Sequence, residues 1–144
     1  MKKLVLSGVL SMFTAGLLVA QTGEEKLPQN SQEFIAQHFS SETITYVEKD
    51  NWTPLKDDDM YEVHFSSGLE MSFNKAGEIT EIEAARDQNI PSDALPDEIL
   101  AYVNNNYPDF NIKSWEKDGK DQDVELSNGV DLEFDKNGKF LRVD

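Results

Sequence analysis

The sequence contains no cysteine, and this absence excludes several kinds of chemistry at once. Disulfide bonds, catalytic thiols, cysteine metal sites and lipid anchors attached through cysteine all require that side chain. Histidine is also scarce, because only His38 and His64 are present. Metal sites built from several histidines are therefore excluded, and stability must come from a packed core.

Basic residues are outnumbered, with 13 Lys and Arg against 28 Asp and Glu, which gives a formal net charge of −15. A surface of this charge repels nucleic acid and anionic lipid, so we predict no nucleic-acid partner. The same charge favours cationic partners or divalent ions. It also favours high solubility, which is the simpler interpretation.

The first 20 residues have the pattern of a secretory signal peptide. Lys2 and Lys3 precede an apolar run that ends at Ala20 and is followed by polar residues. A retained membrane anchor is the alternative, but the run is short of the roughly 20 residues that span a bilayer comfortably. We predict a signal peptide at 1–20, an N-terminal tail at 21–26, a periplasmic or secreted bacterial location, and no membrane insertion after cleavage.

Two parts of the chain are similar to each other. Pro28, Phe34 and Phe39 in LPQNSQEFIAQHF correspond to Pro96, Tyr102 and Tyr107 in LPDEILAYVNNNY. Farther along, YEVHFSSGLEMSFNKAGEITEIEA aligns with QDVELSNGVDLEFDKNGKFLRVD. We therefore predict a first repeat at 27–84, a linker at 85–94 and a second repeat at 95–144. An insertion around residues 51–59 of the first repeat is predicted to be a surface loop.

Each repeat is predicted to contain one helix and an antiparallel sheet. Pro28 and Pro96 are placed to begin helices with an aromatic and aliphatic stripe, and Pro108 is placed to end the second one. The stretch from Tyr61 to Phe73 alternates apolar and polar residues around Gly68, which is typical of a β-hairpin. Residues 122–134 repeat the pattern.

The fold class predicted is α+β, with about four antiparallel strands and one helix in each of two tandem repeats. A unit of this size buries little core alone, so we expect one continuous open sheet, with two separate sheets as the alternative. The spacing of three between Ile79 and Ile82, and between Phe140 and Val143, predicts a bulge or an off-register start in each last strand. By the alternation, one sheet face should be polar and acidic.

The sequence contains no recognisable catalytic machinery, and we predict a protein that is not an enzyme. The nucleophile motif G-x-S-x-G is absent, and carboxylates on an open sheet lack the shelter that general acid–base pairs need. Asp57, Asp58 and Asp59 could bind calcium, but consecutive residues in a loop rarely converge on one ion. A zinc site at His64 would need Glu62 or Glu70 as a further ligand, and a surface histidine is the simpler interpretation. We therefore predict no metal site and no cofactor.

Candidate binding residues come from the polar strand positions and from the two tryptophans. Trp52 lies in the inserted loop, where it has no obvious core to fill, whereas Trp115 lies in a strand and could equally be a core residue. The candidate set is Trp52, Glu62, His64, Glu70, Trp115, Glu125, Asp131 and Glu133.

The proline-led helix and the hairpins SSGLEMSFNKAG and SNGVDLEFDKNG together resemble the PepSY-like proteins of bacterial envelopes, which are related in fold to the β-lactamase inhibitor protein. The resemblance covers residues 27–144. It implies two α/β repeats whose sheets form an open, concave surface that holds a protein or peptide. The absence of cysteine departs from the inhibitor, and no inhibitory loop can be matched, so β-lactamase inhibition is not implied.

The function predicted is an exported, non-enzymatic module that binds a protein or peptide on the acidic sheet face. The partner is expected to be basic, and an inhibited envelope enzyme is one form that it could take. The alternative is a binder of divalent cations such as calcium, or of small cationic ligands. An envelope hydrolase is the least favoured interpretation.

Overall fold

The computed structural model describes residues 26–50 and 60–144. The predicted signal peptide, Trp52 and the aspartates Asp57, Asp58 and Asp59 lie outside the described residues. The helices are α1 (Gln29–His38) and α2 (Asp97–Asn106), with a short 3₁₀ turn at Ser92–Ala94. The strands are β1 (Ile44–Lys49), β2 (Tyr61–Phe65), β3 (Glu70–Phe73), β4 (Ile79–Glu83), β5 (Ile112–Asp118), β6 (Asp121–Leu126), β7 (Asp131–Asp135) and β8 (Phe140–Val143).

All eight strands belong to one antiparallel sheet, and their order in the sheet is their order in the chain. The two halves join where β4 pairs with β5, with Ile82 opposite Trp115 and Glu83 opposite Ser114. The α+β class and the continuous open sheet predicted from the sequence are therefore confirmed. Among the described strands, β1 and β8 are the outermost.

Both helices pack against the same face of the sheet. Proline directly precedes each helix, where its fixed φ suits the entry and its missing N–H costs nothing. From α1, Phe34 contacts Phe73 edge to face, and from α2, Tyr102 contacts Phe134 in the same T-shaped geometry. Ile35 and Ile99 are fully buried in one core that spans both halves. The helices thus cover one face of the sheet.

The predicted bulges are present in both halves. Along β3 and β4, Met71 pairs with Ile82 and Phe73 with Ile79, so the register shifts by one residue between them. The same shift occurs between β7 and β8. The extra residue keeps both apolar side chains of each last strand on the helix side, although they are three residues apart.

Trp115 lies in the core on the helix side of the sheet, which corrects its placement among the binding residues. Its side chain is only 3% exposed, and its Nε1–H donates to Oε1 of buried Gln122 at 3.0 Å. Gln122 donates in turn to the backbone carbonyl of Asp135. Trp115 faces inward because it pairs with Ile82 and Val124, which are core positions of the adjacent strands.

The segment between the halves is packed onto the core, with Ile90, Ala94 and Leu95 buried. The Lys113 Nζ donates to the backbone carbonyl of Gln88, which ties this segment to β5. Within residues 26–50 and 60–144, no helix is both long enough and apolar enough to span a membrane.

Candidate binding surface

The sheet face opposite the helices carries a row of acidic side chains that crosses both halves. We call this surface the acidic face. It follows from the alternation of strand residues, since between the bulges every second residue points away from the helices. Its acidic members include Glu48, Glu62, Glu70, Glu81, Glu83, Glu116, Asp118, Asp121, Asp123, Glu125, Asp131, Glu133 and Asp135.

Carboxylates of the acidic face stand directly opposite one another on adjacent strands. Glu48 pairs with Glu62 at one side of the sheet, and Glu125 pairs with Asp131 near the other. Further pairs are Glu70 with Glu83, Glu81 with Glu116, Glu116 with Asp123, and Asp123 with Glu133. Like charges directly opposite each other destabilise a sheet, so this arrangement opposes folding.

At the β2–β3 hairpin, an imidazole lies between two of these carboxylates. His64 Nε2 is 3.2 Å from Glu62 Oε1, and His64 Nδ1 is 3.1 Å from Glu70 Oε1. Glu62 is two residues from His64 on the same strand, and Glu70 is directly opposite His64 on β3. The ring of Tyr46 lies 5.7 Å from the imidazole, between ring centres. The four side chains form one exposed cluster.

Between β5 and β8, the acidic face contains a groove with a volume of about 500 Å³. Its carboxylates crowd around Asp123, whose pKa is raised above its ordinary value by burial and by the charges of Asp118, Asp144 and Asp121. Arg142 forms an ion pair with Glu133, which is 7% exposed. Eight carboxylates and one guanidinium group line this groove.

A second depression, of about 590 Å³, lies on the helix side between the two halves. Phe34, Ile79 and Trp115 contribute apolar wall, while Lys117 and Lys136 are balanced by Glu78 and Glu98. Its buried amide, Gln122, is already hydrogen-bonded. With mixed charge and no unsatisfied polar group, this cleft favours no particular ligand class.

The structure brings Glu62, His64 and Glu70 together and places Glu125, Asp131 and Glu133 in the other half of the same face. His38, at the end of α1, instead bonds Asp93 through Nδ1 at 2.9 Å. Sequence reasoning missed the contributions of Glu81, Glu83 and Glu116, which bridge the two hairpin regions. Their alternation with Ile82 and Trp115 was a usable signal, but it required knowing that β4 pairs with β5.

Comparison with known proteins supports the resemblance noted from the sequence. Residues 59–142 match the model of the PepSY-like family, described as "Putative beta-lactamase-inhibitor-like, PepSY-like". No curated protein matches the chain.

Solved structures from Bacteroides are similar over almost the whole described chain. A "putative calcium-regulated periplasmic protein" from Bacteroides thetaiotaomicron is 34% identical with a TM-score of 0.75, covering 83% of this chain and 91% of that protein. A putative periplasmic protein from Bacteroides vulgatus is 34% identical with a TM-score of 0.71, covering 82% and 90%. Another from the same species, of unknown function, is 31% identical with a TM-score of 0.73, covering 86% and 96%.

Proposed function

Because the chain belongs to the PepSY-like family, whose solved relatives are described as periplasmic proteins, we propose that it is a non-enzymatic periplasmic binding module. Its ligand is a basic segment of a protein or peptide, held on the acidic face. Glu62, Glu70, Glu83, Glu125 and Asp131 supply the charge that attracts the ligand.

The opposed carboxylates of the acidic face carry this proposal. Glu70 opposite Glu83, and Glu125 opposite Asp131, raise the free energy of the folded chain on its own. Lysine or arginine side chains placed between such pairs would remove the repulsion and gain charge-assisted hydrogen bonds. A fold that accepts this cost is typical of a functional surface, where local rules of stability are broken.

The exposure of the carboxylates supports binding over catalysis. Glu62 and Glu70 have side chains that are 49% and 47% exposed, so they retain much of their hydration. General acid–base pairs depend on environments that separate the pKa values of two groups, usually by burial. A solvated and charged surface instead suits electrostatic recognition of a partner.

A labelled peptide of alternating lysine and alanine tests the proposal by fluorescence anisotropy. We expect binding that weakens as salt rises from about 0.05 to 0.5 M, because screening shortens the range of the attraction. Replacing Glu83 and Glu125 with lysine should weaken binding by about tenfold or more, since like-charge contacts then oppose the complex.

The matched control places the same two charge reversals elsewhere, at Glu33 on α1 and Asp109 in the loop after α2. Both pairs change the net charge equally, so only a role for the acidic face distinguishes them. Equal loss of binding in the two variants would reduce the effect to net charge and refute the assignment. A pull-down from envelope extract with the same variants would then identify the natural partner.

Divalent-cation binding is a second candidate function, favoured by the groove around Asp123. Calcium prefers oxygen ligands, and the carboxylates of Asp121, Asp123, Glu125 and Asp131 line the groove on adjacent strands. The relative from Bacteroides thetaiotaomicron is described as calcium-regulated, which supports this candidate.

Thermal unfolding in calcium chloride tests this second function. At a calcium concentration about 100 times the Kd, we expect stabilisation of about 2.7 kcal/mol, a shift of several degrees. Asp123→Asn should lose most of that shift. A calcium site in the groove would be ruled out if calcium does not change the unfolding temperature, or if Asp123→Asn shows the same shift as the unchanged protein.

A further inference from the structure

The cluster at the β2–β3 hairpin differs in chemistry from the rest of the acidic face. Glu62 and Glu70 stand opposite Glu48 and Glu83, like other carboxylates of that face, but they also lie against the two ring nitrogens of His64. One ligand atom from each of the three side chains can be chosen so that all lie within 4.8 Å of one another. Among the described residues, this is the one group of three or more potential metal ligands found that close together.

The three side chains are close enough to share a small divalent ion after a modest rotation. Zinc bonds to imidazole nitrogen and carboxylate oxygen at about 2.0–2.2 Å, so tetrahedral ligand atoms stand about 3.4 Å apart. Glu62 Oε1 and Glu70 Oε1 lie 3.2 and 3.1 Å from different ring nitrogens of His64, so one glutamate must turn towards the nitrogen that binds the ion. Because both glutamates are exposed, rotation of their side chains can bring both oxygens to an ion on one ring nitrogen.

The scaffold that holds the three residues is a paired hairpin. Hydrogen-bonded ladders to β1 and β3 flank β2 on both sides. Glu62 and His64 are two residues apart, which puts both on one face, and Glu70 is fixed opposite His64 by the register. The ligands therefore depend on regular strands, which hold side chains more precisely than loops do.

We infer that Glu62, His64 and Glu70 form a binding site for a divalent transition-metal ion of the zinc class, with water completing its coordination. Imidazole selects such ions over calcium, which prefers oxygen ligands alone. The two carboxylates neutralise the charge of the ion. This site lies in the opposite half of the sheet from the groove around Asp123 and depends on neither proposed function.

Titration calorimetry with zinc chloride, in a buffer that contains millimolar calcium, tests the site. We expect one zinc ion per chain. His64→Gln should weaken binding by about tenfold or more, although it leaves every carboxylate of the face in place. Glu62→Gln and Glu70→Gln should each weaken it to a similar degree. Glu33→Gln, which removes one charge from α1, should leave the zinc affinity within about twofold.

The second histidine of the chain provides an internal control by NMR. Zinc should shift the ring nitrogen resonances of His64 and leave those of His38 unchanged, because His38 bonds Asp93 near the far end of α1. Circular dichroism confirms that each variant is folded.

Three results would overturn the inference. The first is no zinc binding to the folded chain. The second is binding that calcium displaces and His64→Gln leaves intact, which would mean that the acidic face attracts cations without a defined site. The third is zinc binding with no change at the His64 ring. Loss of basic-peptide binding in the Glu83 and Glu125 variant has no bearing on these outcomes, so the two proposals fail separately.

Discussion

Asp123 carries a carboxylate whose charge opposes folding. Partial burial raises its pKa, and the neighbouring Asp118, Asp144 and Asp121 add repulsion. The folded chain therefore binds a proton more tightly at this position than the unfolded chain does. Because the pKa is higher in the folded chain, the free energy of unfolding is greatest when Asp123 is protonated. This stability is lost as pH rises through the raised pKa.

We predict that Asp123→Asn stabilises the protein at pH 7 in calcium-free buffer. The gain should stay within about 0.5 kcal/mol, because solvent screens a group at the surface. It should shrink as pH falls towards the ordinary aspartate range, where the native carboxyl takes up its proton. Thermal unfolding followed by circular dichroism at several pH values measures this difference. A variant less stable at neutral pH would contradict the predicted cause.

Trp115 differs from Asp123 in that its buried polar group has a hydrogen-bond partner in the core. The indole N–H donates to Gln122, and both side chains are 3% exposed. Trp115→Phe would leave the buried amide oxygen of Gln122 without that donor and would remove ring volume from the core. We predict a loss of roughly 2–3 kcal/mol in denaturant unfolding. Tyr46→Phe, at an exposed site, should change stability by less than about 0.5 kcal/mol.

At the scale of elements, two turns pack closely against the starts of the two helices because each turn has a glycine at the point of contact. A Cβ on Gly77 would lie 2.7 Å from the Cβ of Pro28, and one on Gly138 would lie 2.7 Å from the Cβ of Glu98. These glycines also have positive φ values, of 81° and 78°. Each turn therefore requires glycine both for its backbone conformation and for the close approach of a helix.

The chain offers a matched pair that separates these two reasons. Gly129 has the same φ of 78° as Gly138, but a Cβ there would meet nothing within 4 Å. Gly129→Ala should cost about 1–2 kcal/mol for the left-handed backbone alone. Gly138→Ala should cost about 1–3 kcal/mol more, because it also pushes α2 from the sheet. If both variants lose the same free energy of unfolding in denaturant, α2 can move away from Gly138 at no cost, and the predicted close-packing effect is wrong.

The sequence predicted the individual helices and hairpins better than it predicted which strands pair with each other. Pro28, Pro96 and the alternation around Gly68 are local signals, and the helices and hairpins that they predicted are present. Even the bulge at Ile79 could be inferred from spacing. The pairing of β4 with β5 could not, since no local signal specifies which edges meet. The inward orientation of Trp115 and the full extent of the acidic face both depended on that pairing.

For the candidate site, period-two alternation placed Glu62 and His64 on one face. The convergence of Glu70 on the same imidazole required the register of the β2–β3 hairpin, with His64 directly opposite Glu70. Register depends on turn geometry, and a slip of one residue would turn Glu70 to the helix side. The sequence indicated Glu62 or Glu70 as a possible neighbour of His64, but only the register shows that both reach its ring.

At the scale of the whole molecule, the junction between β4 and β5 makes one core from two halves. Ile82 is fully buried there and pairs with Trp115. We predict that the chain unfolds in a single transition, and that amides of β2 and β6 exchange with the same limiting free energy. Ile82→Ala should lower that free energy by about 2–4 kcal/mol in both halves. Different limits for β2 and β6 would indicate independent units.

The order of the strands has a consequence for how the chain reaches this structure. Each strand pairs with the next one along the chain, so most strand pairings join segments that are neighbours in sequence. Proteins rich in local contacts fold faster than sheets built from distant strands. The exception is β4 with β5, whose connection from Ala84 to Asn111 contains α2. Closing this long connection is the step with the greatest entropic cost, and we expect it to set the folding rate.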